Sequence, residues 1–300
     1  MKYHVWFLFS GGPTRDKTIR EYLSEQLHDP FVQQSLPSFL RFLWVWLLLK
    51  NRTQVPLLKG PCLSFDAAQS YTNELYRLIG PDFVCTPIHH FGQSDLERHI
   101  KSLPPKAKVI LLPMIPHRCR TLFSALERCR QALRQKGNSF IEWGLYNTHP
   151  AFIEGLACLI RQEIIARKQR DYALLYMAQR QPEQWNSSPQ EYNEDLKKTI
   201  SALQQYLSCA QPKSLMHPHG KKVKKLLEQW YSQGIRSLIT VPVSFMIDSE
   251  LLQSERAHIT QTAQDMGYEA VLHSKPVSYA PPFNQHIMHK LYDIQSQPHP

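Results

Sequence analysis

Short apolar runs alternate with amphipathic stretches along the whole chain, and that alternation leaves a parallel sheet flanked by helices as the expected architecture. The strand candidates are His4–Ser10, Lys108–Leu112, Phe140–Leu145, Tyr172–Met177, Ser237–Val241 and Glu269–His273. Between them, Thr121–Gln135 places Leu122, Leu126, Cys129 and Leu133 on one helical face and stops at Lys136-Gly137. Asp66–Ile79 is stopped by Gly80-Pro81, and Leu196, Ile200 and Leu203 recur at helical spacing. The halves also echo each other. "VWFLFSGGP" and "KVILLPMIPH" in the first are matched by "YALLYMAQRQP" and "RSLITVPVSFM" in the second. The expectation is two similar α/β domains, residues 1–155 and 156–300, whose strand ends converge on a cleft.

Three hundred residues suit two domains of about 150 each. The net charge of +10 favours anionic partners, but the basic residues are scattered apart from Lys221-Lys222-Val223-Lys224-Lys225. No aromatic-interleaved basic signature accompanies them, so no nucleic acid is expected. The six cysteines form no C-x-x-C pair and no secretory signal opens the chain, which predicts reduced, packing thiols in a cytoplasmic protein and no iron–sulfur cluster. Residues 36–50, "LPSFLRFLWVWLLLK", hold an apolar run from Phe42 to Leu49. It is well short of the roughly 20 residues of a membrane span. Trp44 and Trp46 suit a helix lying on a membrane surface or lining a pocket, as well as one docked on the core.

Ser10-Gly11-Gly12-Pro13 follows a strand and lets the backbone approach a ligand, yet neither a dinucleotide fingerprint nor a P-loop is present. G-x-S-x-G and H-E-x-x-H are absent too. Among the fourteen histidines, His89-His90 reads as a surface or loop pair, and His117, just beyond a strand end, is better placed for a site. Asp248 is positioned to cap a helix containing Glu250, Glu255 and His258. The stretch "ALLYMAQRQPEQW", residues 173–185, changes abruptly from buried-strand character to Gln179, Arg180, Gln181 and Pro182. Strand ends of this kind are where α/β sheets place their ligands.

The order of these segments resembles the ferrochelatases, enzymes that insert ferrous iron into a porphyrin. "FLFSGGPTRDKTIREYLSEQLHDPFV" resembles the family's opening strand, Gly-Pro turn and helix, and "LPSFLRFLWVWLLLKNR" its apolar lip. "GPCL", "VILLPMIPHRCRTLFSAL", "YNTHPAFIEGL", "YLSCAQP" and "GIRSLITVPVSFMIDSELLQSE" are similar to later segments, the last to the closing Pro-x-x-Phe-x-x-Asp motif. The resemblance implies two chelatase-like, Rossmann-like domains and a porphyrin between them, contacted by Ser10, Gly11, Pro13, His117, Arg180, Pro242 and Phe245. It implies a cytoplasmic protein touching membrane at most through residues 36–50. Porphyrin or heme would be the partner, and ferrous iron and porphyrin substrates or ligands rather than permanently bound cofactors.

The departures fall on the chemistry. Where the family has a strand-end histidine, Gln179 stands, and the glutamate of the closing motif falls on Leu251, with Glu250 adjacent. A glutamine amide does not titrate near neutrality and ligates iron less well than imidazole. A family tryptophan falls on Leu215, a tyrosine of some bacterial members falls near Ser10, and the region between Asn51 and Gly60 is shorter. Three readings follow: a porphyrin- or heme-binding relative with impaired metal insertion, an active ferrochelatase acting on protoporphyrin IX or coproporphyrin III through substitutes such as Glu250 and His117, or a chelatase-like scaffold with an unrelated ligand.

Overall fold

Tyr3–Gly11 form β1, almost wholly buried because it lies at the centre of its sheet with helices on both faces. In the computed structural model, residues 2–11, 63–91, 96–167, 172–179, 189–207, 213–216 and 221–297 are described. Pro13, Arg180 and residues 36–50, named above as candidate contacts, lie outside them.

After β1 come α1 (Leu63–Ile79), β2 (Phe83–Phe91), α2 (Leu96–Ser102), β3 (Lys108–Pro113), α3 (Arg120–Gln135) and β4 (Ser139–Glu142). Then follow α4 (Pro150–Arg167), β5 (Ala173–Met177), α5 (Pro189–Leu207), β6 (Lys213–Met216), α6 (Lys221–Ser232), β7 (Ser237–Pro242), α7 (Glu250–Asp265) and β8 (Ala270–His273). A short 3₁₀ turn, Val277–Tyr279, and α8 (Pro281–Ser296) complete the described chain.

The strands make two parallel four-stranded sheets, ordered β2-β1-β3-β4 and β6-β5-β7-β8. The chain divides into two units, one comprising Met1–Leu145, Gln181–Tyr192 and Lys290–Pro300, the other Tyr146–Arg180 and Asn193–His289. Each sheet repeats the topology of the other, which is the physical content of the sequence echo. The registers correspond closely. Leu8 pairs with Pro113 and accepts a hydrogen bond from Met114 N at 2.8 Å, while Met177 pairs with Pro242 and accepts from Val243 N at 3.0 Å. Counting two residues on from each, Ser10 and Gln179 hold equivalent positions.

All six expected strands form, the third contracting to Ser139–Glu142, and β2 and β6 are additional. Both are edge strands. β2 carries Pro87, which a central strand would reject for want of a ladder donor. His89 and His90 sit on β2 and are buried, correcting the reading of a surface pair. The His89 ring stacks on Phe65 with centroids 3.8 Å apart and on Phe9 at 5.7 Å, and burial together with the nearby His99 pushes its pKa down to about 4. Burial likewise pushes the Cys85 and Cys129 thiols up to about 12, where they are inert packing groups.

In the C-terminal unit, Ala173, Leu175 and Met177 of β5 join Val223, Leu227, Leu238, Leu252 and Ile259 in one apolar cluster. Here α4 approaches the 3₁₀ turn and α8 closely at Gly155, where an added Cβ would stand 3.1 Å from both Ala280 Cβ and Val277 Cγ2. Gly155→Val is therefore expected to cost about 1–3 kcal/mol by overpacking. Thermal denaturation would read this as a lowered midpoint for the transition.

Candidate functional site

In a sheet ordered β6-β5-β7-β8, the connections leave β5 and β7 in opposite directions, so a crevice opens beyond their carboxyl ends. The side chains there come from the β5 end, Ala178 and Gln179, and from the β7–α7 turn, Val243 to Ser249. The corresponding place in the first sheet, beyond β1 and β3, receives Ser10, Gly11 and the segment Met114–His117. Most of the described residues singled out from sequence thus lie at one or other switch point.

The turn is held from both sides. Gln179 N donates to Ser244 Oγ at 2.5 Å and Val243 N to Met177 O, which ties the turn to the β5 end. On its far side, Ser278 N donates to Met246 O at 3.3 Å. Pro242 ends β7 in register with Met177, and Phe245 is buried in the apolar cluster of this unit. Gln179 itself is half-buried.

Asp248 does not cap α7. Ser249 does, its hydroxyl accepting from Leu252 N at 3.2 Å. The Asp248 carboxylate instead gathers three donors from two elements, α7 and the 3₁₀ turn. Oδ1 accepts from Arg256 Nη1 at 3.1 Å and Gln253 Nε2 at 3.3 Å, and Oδ2 from Tyr279 OH at 3.1 Å. Arg256 is only 8% exposed, and its Nη2 donates to Ser274 O at 2.6 Å. Close by, His273 lies between the Thr240 and Thr260 hydroxyls at 2.7 and 2.9 Å. Burial and the Arg256 charge push its pKa down to about 4, so it is neutral near pH 7.

Leu251 packs against the apolar cluster, and Glu250, in the first turn of α7, is half-buried. The residue that sequence reasoning undervalued is Glu255. One helical turn beyond Leu251, it shares that residue's side of α7, and it is 6% exposed. Burial pushes its carboxyl up to about 7. A carboxyl group titrating there can take or give a proton at neutral pH. The signal was available in principle, since Leu252, Glu255, Arg256 and Ile259 follow the buried stripe of the helix.

A group whose folded pKa is raised from 4.5 to about 7 makes the fold less stable as pH rises through that interval. Glu255→Gln is therefore expected to raise the thermal midpoint at pH 8 and to leave it unchanged at pH 4. The full linkage corresponds to about 3 kcal/mol as an upper figure. Equal effects at the two pH values would contradict the assignment.

In the N-terminal unit, His117 is fully buried, its ring meeting Tyr192 edge-on at 5.8 Å. The neighbouring Arg118 pairs with Glu191 at 3.2 Å. Ser10 is half-buried at the end of β1, and Gly11 closes that strand in register with Phe91. Leu215 lies on β6. Among the described residues no group of three or more His, Cys, Asp and Glu side chains could hold a metal ion, and no helix is long and apolar enough to cross a membrane.

Comparison with known proteins agrees with this architecture. The chain is 22% identical over 265 residues to a ferrochelatase of Desulfotalea psychrophila, covering 81% of this chain and 82% of that one. Among solved structures it resembles the sirohydrochlorin chelatase SirB of Bacillus subtilis subspecies spizizenii in complex with cobalt, with TM-score 0.56, 9% identity and 98% and 95% of the two chains covered. It also resembles CbiX, described as the terminal enzyme of siroheme biosynthesis in denitrifying bacteria, with TM-score 0.52, 12% identity and 98% and 99% covered. At such identities these structures speak to the fold alone. The ferrochelatase family model matches residues 82–292, more than two thirds of the chain, and so the chain belongs to the ferrochelatase family.

Proposed function

We propose that this protein binds a porphyrin or heme at the carboxyl end of its C-terminal sheet and inserts metal poorly. Family membership supports a role in the metal chelation chemistry of tetrapyrrole biosynthesis. The observation that carries the finer reading is the pair of strand-end and helix-start positions. Gln179 supplies an amide in place of a titrating imidazole, and Leu251 is committed to apolar packing. A flat, largely apolar ring with carboxylate arms suits a chain of net charge +10 whose switch-point residues mix apolar and polar groups. Pro242 and Phe245 are assigned to the ring surface, and Gln179, with Arg180 next in sequence, to its polar edge.

The test is titration of the purified protein with protoporphyrin or coproporphyrin, followed by porphyrin fluorescence with and without zinc or ferrous ion. Saturable binding with no metal-dependent loss of free porphyrin above the protein-free control is expected. Absence of saturable binding would overturn the reading.

A second reading, an active ferrochelatase, is favoured by Glu255. Its carboxyl at about 7 could receive pyrrole protons in place of the family histidine. In that case zinc insertion would rise with pH through about 7 and Glu255→Gln would abolish it.

A further inference from the structure

We propose that Arg256 keeps divalent cations out of the β7–α7 turn by holding its own guanidinium between the Asp248 carboxylate and the Ser274 carbonyl, oxygens that would otherwise receive one. Two edges of that guanidinium face oxygens: Nη1 the Asp248 carboxylate at 3.1 Å and Nη2 the Ser274 carbonyl at 2.6 Å. Carboxylate and backbone carbonyl oxygens are the ligands that hard divalent cations take. Tyr279 OH, on the second Asp248 oxygen, adds a third oxygen within the same cluster. Glu163 of α4 also acts on Arg256 electrostatically, while Lys275, next to Ser274, places its ammonium over the Tyr279 ring at 5.2 Å.

Stability alone does not account for an arginine here. A buried ion pair is often no better than apolar packing of the same volume. This one is also incompletely satisfied, because Arg256 Nε is buried with no hydrogen-bond partner among the described residues. Desolvation lowers the Arg256 pKa, as expected for a charge held against the preference of its surroundings. What the guanidinium provides is a fixed positive charge on the turn that carries Asp248 and Glu250. A divalent ion would have to displace it or approach against it.

The inference rests on the proposed reading only for its consequence, poor metal insertion, because cation binding is measured without porphyrin. The probe is Mn²⁺, whose free ion is followed by electron paramagnetic resonance. The unsubstituted protein, Arg256→Met and Arg256→Gln are titrated after circular dichroism has verified their fold. Arg256→Met is expected to bind one Mn²⁺ at least about tenfold more tightly than the unsubstituted protein. Adding Asp248→Asn should remove the gain. Folded Met and Gln variants that bind Mn²⁺ no better than the parent would overturn the proposal, as would a gain that survives Asp248→Asn. Failure of both variants to fold would overturn it too, making Arg256 an anchor of the fold and no determinant of cation access.

Discussion

Zinc insertion into protoporphyrin is expected to rise by about 10²-fold when Gln179→His and Leu251→Glu are combined, since a positioned general base typically contributes 10²–10⁴-fold. The two substitutions act differently. At position 179 the backbone is already fixed, its N–H donating to Ser244 Oγ at 2.5 Å beside the Val243–Met177 hydrogen bond. An imidazole there replaces an amide of similar reach on a strand end that stays in place. Position 251 is less accommodating, because Leu251 packs on the cluster containing Leu252 and Phe245, and a carboxylate would lose that contact. Leu251→Glu alone is therefore expected to lower the thermal midpoint with little gain in rate. Gln179→His alone should give most of the increase, Glu255 with its carboxyl near 7 being one turn away from Leu251. The measurement is the initial rate of zinc porphyrin formation per mole of folded protein. A double variant that binds porphyrin as tightly as the parent and shows no rise in rate would mean that these positions do not limit insertion.

Residues whose role is set by local pattern were legible in the sequence. The β5 end was marked by the passage from Leu174-Leu175-Tyr176-Met177 into Ala178-Gln179, and the β7 end by Pro242. Once the sheet order brings β5 and β7 together, both ends meet at the switch point, so Gln179 and the 243–249 turn were foreseeable as neighbours. Residues whose role depends on tertiary packing were not legible. Asp248 looks like a helix cap in sequence, but Ser249 takes the cap, and Asp248 turns to Arg256 and Tyr279, the latter 31 residues away. β2 reads poorly as a strand because Pro87 and two histidines interrupt it, and it forms because an edge position tolerates proline and Phe9 and Phe65 shelter His89. Burial of Glu255 gives it a pKa that no spacing rule conveys.

Asp248→Ala is expected to destabilise the C-terminal unit by about 3 kcal/mol, because removing one partner of a buried ion pair strands the other. The Arg256 side chain is 10% exposed and that of Asp248 25%, so solvent can relieve only part of the cost. The substitution also removes the hydrogen bond from Tyr279 to Asp248, releasing the 3₁₀ turn from the start of α7. For a unit of this size the loss corresponds to a midpoint lowered by roughly 6–12 °C. Removing both charges together should be gentler. Asp248→Ala with Arg256→Met leaves no stranded guanidinium and puts an apolar side chain on the buried face of α7 beside Leu252 and Ile259, so the double variant should regain more than half of the lost stability. Chemical denaturation of the two single variants and the double closes the cycle. If Asp248→Ala costs less than about 1 kcal/mol, the pair behaves as a surface ion pair, and the guanidinium is mobile enough to yield its place to an incoming cation. A large coupling energy instead fixes Arg256 on Asp248, and with it the resident positive charge on the turn that bears Glu250.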